Sequence, residues 1–297
     1  MAKTFRGTYS VMVTAFDARG RVDLEAMAAY TDWQVTQGIH GLIPLGSTGE
    51  FLSMTDAERT SVARCVIETV AGRVPVLIGT GSENTDDVIR YSQEAQSLGA
   101  DGVMIIPPYY STPTEEELFE HYRRIAAAIS IPIMIYNNPA TANVDLTPPI
   151  VARLSTIEGI SYIKESTMDV TRVRDILDLC DGRMTVFGGI MGYESFMNGA
   201  EGWVAVGSNI LPRDLARLFD LSIAGDVAGA RALYRQVLPV IRLVGGHRYV
   251  SATKSALAML GYPVGDPRPP RLPTPAADLD GVLQALVAAG QSPVRPA

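Results

Sequence analysis

Residues 102–136 read GVMIIPPYYSTPTEEELFEHYRRIAAAISIPIMIY, and the order of residue types in this stretch decides the fold. Gly102–Ile106 is a continuous apolar run, as expected of a strand covered on both faces in a parallel sheet rather than one with a wet face. A polar turn follows. Thr114-Glu115-Glu116-Glu117 then supplies a cap and three carboxylates that complement a helix dipole, which predicts a helix from about Pro113 to Ile129. Ile131–Tyr136 is a second apolar run, so the stretch reads as one β–α–β unit with a helical crossover between parallel strands.

Working outward, the same alternation runs from Thr8 to about Ala224. On the N-terminal side the strand candidates are Tyr9–Ala15, Gly41–Leu45 and Val74–Ile78. Their helices are Leu24–Thr36, one opened by Thr55-Asp56-Ala57-Glu58, and Thr85–Leu98. On the C-terminal side Ile160–Lys164, Met184–Phe187 and Trp203–Val206 are strands. Helices are expected after Thr147-Pro148-Pro149 and over Val170–Leu179, Gly192–Met197 and Arg213–Ser222. Eight β–α units in about 220 residues match the period of a (β/α)8 TIM barrel. An open doubly wound sheet carries fewer units and a nucleotide fingerprint. Beyond the eighth unit Val227–Leu243, Tyr249–Leu260 and Ala276–Ala289 read as helices with no strand between them. Pro263–Pro275 links the last two, and Gln291–Ala297 is expected to be a loose tail. The expected organisation is a barrel over residues 1–225 and a C-terminal helical extension over 226–297.

Composition narrows the function. The 297 residues carry 25 Lys+Arg against 32 Asp+Glu, a net charge of −7, with no concentrated basic stretch, which argues against a nucleic-acid partner. The apolar fraction of 47% and charged fraction of 19% are those of a globular protein. No apolar run reaches the roughly 18 residues of a membrane span, and the N-terminal residues lack a signal-peptide core. Cys65 and Cys180 are too few for a disulfide scaffold, so a soluble, cytoplasmic protein is expected.

A barrel places its active site at the C-terminal strand ends. Those ends carry Gly46-Ser47-Thr48-Gly49-Glu50, Pro107-Pro108-Tyr109-Tyr110, Tyr136-Asn137-Asn138-Pro139, Lys164-Glu165-Ser166, Gly188-Gly189 and Gly207-Ser208-Asn209. Lys164 follows Ile160-Ser161-Tyr162-Ile163 and should project from an apolar wall. A desolvated lysine keeps some neutral amine and can add to a carbonyl, forming an imine that acts as an electron sink. The alternative is a snorkelling or salt-bridged lysine. Tyr136, ending the neighbouring strand, and Thr48 are hydroxyls able to relay the protons that imine chemistry moves. The backbone N–H groups of Ser47 and Thr48 form a candidate nest for a carboxylate.

Together these stretches resemble the dihydrodipicolinate synthase / N-acetylneuraminate lyase family over nearly the whole chain, including its helical C-terminal extension. The resemblance implies a class I, metal-independent aldolase-type barrel acting on pyruvate or another 2-oxo acid, without a cofactor, usually as a homotetramer built from dimers. It implies that Lys164 is the Schiff-base lysine, Tyr136 the proton shuttle, Thr48 its hydroxyl partner, and Ser47 with Thr48 the carboxylate binders. Tyr110 aligns with a tyrosine that some members insert from a neighbouring subunit, and Gly188, Gly189 and Val206 match pocket-lining positions. One position departs. Two residues beyond the proline, where authentic dihydrodipicolinate synthases carry an arginine for the second substrate's carboxylate, this chain has Thr141, and a hydroxyl cannot replace a bidentate guanidinium.

That departure favours the catabolic members, which cleave, dehydrate or deaminate 2-keto-3-deoxy sugar acids or the pyrroline intermediate of hydroxyproline breakdown. Dihydrodipicolinate synthesis stands second. A non-catalytic 2-oxo-acid-binding relative and a metal-dependent barrel enzyme are the other classes, and the joint presence of Lys164, Tyr136 and Thr48 argues against the former. No metal site is expected from the scattered His40, His121 and His247. His121 is read as a surface residue of its helix, Glu50 and Glu165 as strand-end salt bridges, Met191–Met197 as core, and Gly79–Ser82 as a tight turn rather than a phosphate loop.

Overall fold

A computed structural model describes residues 4–294. Eight strands, β1 (Gly7–Val11), β2 (Gly41–Ile43), β3 (Leu77–Gly79), β4 (Gly102–Ile105), β5 (Ile133–Asn137), β6 (Ile160–Glu165), β7 (Thr185–Gly188) and β8 (Gly202–Ala205), are each followed by a helix. Those helices are α1 (Leu24–Thr36), α2 (Asp56–Val70), α3 (Thr85–Ser97), α4 (Glu115–Ala128), α5 (Pro148–Leu154), α6 (Thr171–Cys180), α7 (Gly192–Phe196) and α8 (Pro212–Ile223). Three more, α9 (Val227–Leu243), α10 (Tyr249–Met259) and α11 (Leu279–Ala288), complete the chain. Eight strands alternating with eight helices make this a (β/α)8 barrel fold with C-terminal helices. None of the described helices is long and apolar enough to cross a membrane.

The chain divides into two compact units, one made of the residues before Thr8 with Pro75–Val204, the other of Thr8–Val74 with Ala205–Ala297. In the first unit β3 to β8 form one parallel ladder in sequence order. Its core is Leu77, Val103, Ile105, Ile133, Ile135, Ile163, Val186 and Phe187, all buried, which is why these strands read as continuous apolar runs. The helices start where their caps predict. Asn84 accepts from the Asp86 N–H, and Thr114 and Glu117 form a reciprocal capping box.

Two expectations in this unit are corrected. His121 is buried, 5% exposed, because Leu118, His121, Tyr122 and Ile125 share the inner face of α4. The Met191–Met197 stretch is only partly core. Gly192, Ser195 and Phe196 are buried, but Met197 is 56% exposed because it stands one residue beyond the five-residue helix.

In the second unit β1 and β2 pair in parallel. Helix α1 packs on α2, α8 on α9, and α11 against both α9 and α10. Asp23 caps α1, and Thr55 with Glu58 closes a capping box on α2. β1 stops at Val11, short of the expected Ala15, because side chains claim the backbone beyond it. Asn209 Oδ1 accepts from the Val13 N–H at 3.0 Å, and its Nδ2 donates to the Val11 and Val206 carbonyls at 2.9 and 2.7 Å. The expected helix Ala276–Ala289 begins instead as a 3-10 turn over Ala276–Asp278. The expected loose tail is tied down as far as Val294, whose N–H donates to the Met259 carbonyl at 2.8 Å. Residues 295–297 of that tail lie outside the described residues.

Candidate active site

The first unit brings Lys164 and Tyr136 together. Parallel pairing of β5 with β6 sets Tyr136 opposite Lys164 and Asn137 opposite Glu165. Because side chains alternate along a strand, Tyr136 and Lys164 share one face and Asn137 and Glu165 the other. Lys164 and Tyr136 are each only 6% exposed, and the Lys164 Nζ stands 3.8 Å from the Tyr136 ring centroid. Lys164 has no ion-pair partner among the described residues of this unit, and at 6% exposure its amine does not reach out to solvent as a snorkelling lysine does. An amine over a phenol face in a buried site is a cation–π contact when charged and a nucleophile with an adjacent proton carrier when neutral.

The opposite face fixes that register. Asn137 Nδ2 donates to Glu165 Oε2 at 3.0 Å and to Asp145 Oδ1 at 3.2 Å, while Asn137 Oδ1 accepts from the Leu146 N–H at 2.9 Å. Arg172 grips Asp145 in a bidentate pair at 2.6 and 2.8 Å. The Arg172 hydrogen bonds hold the Asp145 carboxyl below its ordinary range. Glu165, expected as a strand-end salt bridge, is instead hydrogen-bonded to Asn137 and to the Thr167 N–H at 2.7 Å. It is 5% exposed, where an amide and a backbone donor satisfy the carboxylate without a second buried charge.

The hydroxyl of Tyr136 accepts from Asn138 Nδ2 at 2.8 Å, a contact sequence reasoning missed although Asn138 lies in the strand-end segment Tyr136-Asn137-Asn138-Pro139. Gly188 and Gly189 are buried. Gly189 donates its N–H to the Glu165 carbonyl at 2.7 Å, and a Cβ on it would stand 1.7 Å from Ser166 Oγ, so only glycine fits. Thr141 is exposed on the loop after β5. Tyr110 is 85% exposed, yet its backbone is clamped. Glu83 accepts the N–H groups of Tyr109, Tyr110 and Ser111 at 2.9, 3.0 and 2.8 Å, and Asn143 Nδ2 donates to the Tyr110 carbonyl at 2.7 Å. The side chain is thus presented on a fixed loop.

Ser47, Thr48 and Val206 belong to the second unit. Ser47–Gly49 is a 3-10 turn in which the Gly49 and Glu50 N–H groups bond back to Gly46 and Ser47. The N–H groups of Ser47 and Thr48 lead that turn and have no acceptor in it. Leu45 and Glu50 flank it in the left-handed region, at φ 61° and 58°, a conformation that persists in such residues only when the surroundings enforce it. Here the Thr14 hydroxyl donates to the Gly49 carbonyl at 2.7 Å. The Glu50 carboxylate is buried against Lys254 Nζ at 3.1 Å and accepts the Arg268 N–H at 2.9 Å. Burial pulls the Lys254 amine down to about 8. Lys254 and Arg268 lie more than two hundred residues away in the chain, and no sequence signal pairs them with Glu50. Val206 is half-buried, its carbonyl held by Asn209. Among the described residues no cluster of three or more His, Cys, Asp or Glu could hold a metal ion.

This chain resembles proteins of known kind along its length. It is 37% identical over 289 residues to the 4-hydroxy-tetrahydrodipicolinate synthase of Syntrophobacter fumaroxidans, covering 96% of this chain and 99% of that protein. It is 37% identical over 276 residues to the enzyme of the same name from Geobacter metallireducens, covering 92% and 95%. Among solved structures, the dihydrodipicolinate synthase of Acinetobacter baumannii complexed with pyruvate superposes with a TM-score of 0.94 at 30% identity, over 97% of this chain and 100% of that one. The 4-hydroxy-tetrahydrodipicolinate synthase of Methylacidiphilum fumariolicum gives 0.93 at 31%, over 97% and 96%. The family model described as the dihydrodipicolinate synthetase family matches residues 4–289, and the chain belongs to that family as one of its lyases.

Proposed function

We propose that this lyase takes pyruvate onto Lys164 as an imine and condenses it with aspartate semialdehyde, the synthesis named in its relatives. The observation that carries the reading is the buried Lys164–Tyr136 pair, amine 3.8 Å from ring centroid on adjacent parallel strands. The sequence alone puts catabolic 2-oxo-acid chemistry first and this synthesis second. Relatives 34–37% identical over most of the chain carry the synthase name, and their support reverses that order.

The neutral Lys164 amine adds to C2 of pyruvate, forming the C–N bond while the carbonyl oxygen takes a proton. Water then leaves with a second proton, giving the imine, and Tyr136 carries these protons. Loss of a methyl proton from the protonated imine to Tyr136 gives an enamine carbon that attacks the second substrate's aldehyde, whose oxygen takes that proton back. Addition of water or the product's own amine to the re-formed iminium then releases the Lys164 amine. Ser47 and Thr48 are assigned the pyruvate carboxylate, Thr48 and Tyr110 a share in proton transfer, and Gly189 and Val206 the pocket lining. The active barrel is assigned to residues 1–225 and the helical extension to 226–297. The working form is a homotetramer in the cytoplasm, where Cys65 and Cys180, both free, stay reduced.

Thr141 favours a second reading. Its N–H and hydroxyl both turn onto the Asn138 carbonyl, at 3.0 and 3.3 Å, so the position offers no cation to a second carboxylate. Cleavage, dehydration or deamination of a larger 2-oxo acid, such as a 2-keto-3-deoxy sugar acid or the pyrroline intermediate, would need none. Pyruvate with borohydride, followed by peptide mass, should label the peptide carrying Lys164 in the native protein and not in Lys164→Ala. Condensation with aspartate semialdehyde then supports the synthase. Labelling without condensation, with Thr141→Arg gaining it, supports the catabolic reading. Folded protein that no 2-oxo acid labels would sink both.

A further inference from the structure

Asn138 is one residue past the end of β5 and directly before Pro139. The proline ring keeps the preceding residue extended, and the Asn138 carbonyl is engaged by the Thr141 and Ala142 N–H groups, both at 3.0 Å. Its backbone is therefore held on both sides. The side chain, 9% exposed, folds back so that Nδ2 lies 2.8 Å from the Tyr136 hydroxyl oxygen. The amide's other end, Oδ1, is enclosed with no hydrogen-bond partner among the described residues. A buried, half-satisfied amide is a standing cost, and such groups call for an explanation beyond packing.

We propose that Asn138 is a positioning residue for the Tyr136 hydroxyl, holding its oxygen as an acceptor so that the phenol's own proton points away from the loop and stays available for transfer. A phenol has one proton to give. When an amide N–H occupies the oxygen, that proton must be aimed elsewhere, and among the described residues of this unit nothing else takes it. Once the proton has been handed over, the same N–H supports the oxygen left behind, so the contact strengthens as transfer proceeds. An apolar side chain at residue 138 would leave the hydroxyl free to rotate and its oxygen without a donor. The inference rests on the reading of Lys164 as the imine lysine and Tyr136 as its proton carrier.

The test is the time course of imine formation from pyruvate, quenched with borohydride and read as mass on the Lys164 peptide. It is run for the native protein, Asn138→Leu and Asn138→Asp over a range of pyruvate concentrations. Leu keeps the volume without a donor, and Asp keeps the shape with an acceptor in the donor's place. Both variants should reach the native final extent of labelling with a KM for pyruvate within about twofold, while the rate of imine formation falls about tenfold. Equal final labelling also shows that a variant is folded, and Asn138→Asp serves if Asn138→Leu is not. A native rate of imine formation in a variant that labels fully, or a loss that lies in the KM for pyruvate rather than in the rate, would overturn the inference alone. A native protein that pyruvate and borohydride do not label overturns the imine reading and this inference with it.

Discussion

His121 is held in its neutral form by where it sits. Its Nδ1 lies 2.9 Å from Thr85 Oγ1, its Nε2 has no partner among the described residues, and burial, reinforced by the Arg124 charge, pulls its pKa down to about 4. The unfolded chain binds a proton at this residue below about 6.5, whereas the folded chain waits until about 4. Between those values the unfolded state holds more protons, so stability falls as pH falls, by up to roughly 3 kcal/mol for this residue. Denaturant titrations at pH 7 and pH 4.5 should show a smaller loss in His121→Gln than in the native protein, and an equal loss would refute the assignment. The buried position was readable. Leu118, His121, Tyr122 and Ile125 follow the i, i+3, i+4, i+7 spacing of an inner helix face, but a histidine beyond an acidic first turn reads more readily as surface. Lys164 and Tyr136 were legible because each ends an apolar strand run, where a polar side chain has to be explained. Asn138 was not, since a contact two residues back depends on the turn at Pro139.

At the scale of elements, Glu58 does two jobs at the start of α2. It returns the Thr55 cap by accepting the Thr55 N–H at 2.9 Å, and it pairs with the Arg268 guanidinium, which also donates to the Ser53 and Gly20 carbonyls at 2.7 and 2.8 Å. The Arg268 hydrogen bonds hold the Glu58 carboxyl down at about 2. Its folded value lies below its unfolded one, so the pair's contribution is fully present above about 4.5 and is lost as pH falls toward 2. Both side chains are partly exposed, at 15% and 26%, and solvent screening reduces the contribution to about 1–2 kcal/mol. Arg268→Met should therefore lower the Tm at pH 7 by a few degrees, with the gap to the native protein closing near pH 2.5. A gap independent of pH would mean that lost packing, not the ion pair, is responsible. The starts of α2 and α4 were legible to within a residue or two because Thr55 and Thr114 are local signals. Strand ends were not. β1 gives up its last expected residues to the Asn209 side chain, and the links from Lys254 and Arg268 to Glu50 join positions that only the folded chain makes neighbours.

For the whole molecule the open quantity is the assembly, and Tyr110 gives it a functional readout. A large aromatic side chain 85% exposed on a loop clamped by Glu83 and Asn143 is a fixed projection, which suits a residue that completes its task in another subunit. If Tyr110 serves a neighbour, a subunit carrying Lys164→Ala still offers a good Tyr110, and a subunit carrying Tyr110→Phe still offers a good Lys164. A mixed dimer then contains one site with both residues intact and one with neither. Equal, random mixing makes half of all dimers mixed, so about a quarter of native activity should return although neither parent has more than a small residue of it. Differentially tagged subunits, co-expressed in equal amounts and assayed as the unfractionated mixture, allow that measurement directly, and dimers selected for both tags should show about half of native activity. If Tyr110 acts within its own subunit, every Lys164-bearing site also lacks the Tyr110 hydroxyl, and mixing restores nothing above the average of the parents. Sedimentation of the same samples separates the remaining case, since a monomer cannot complement at any ratio.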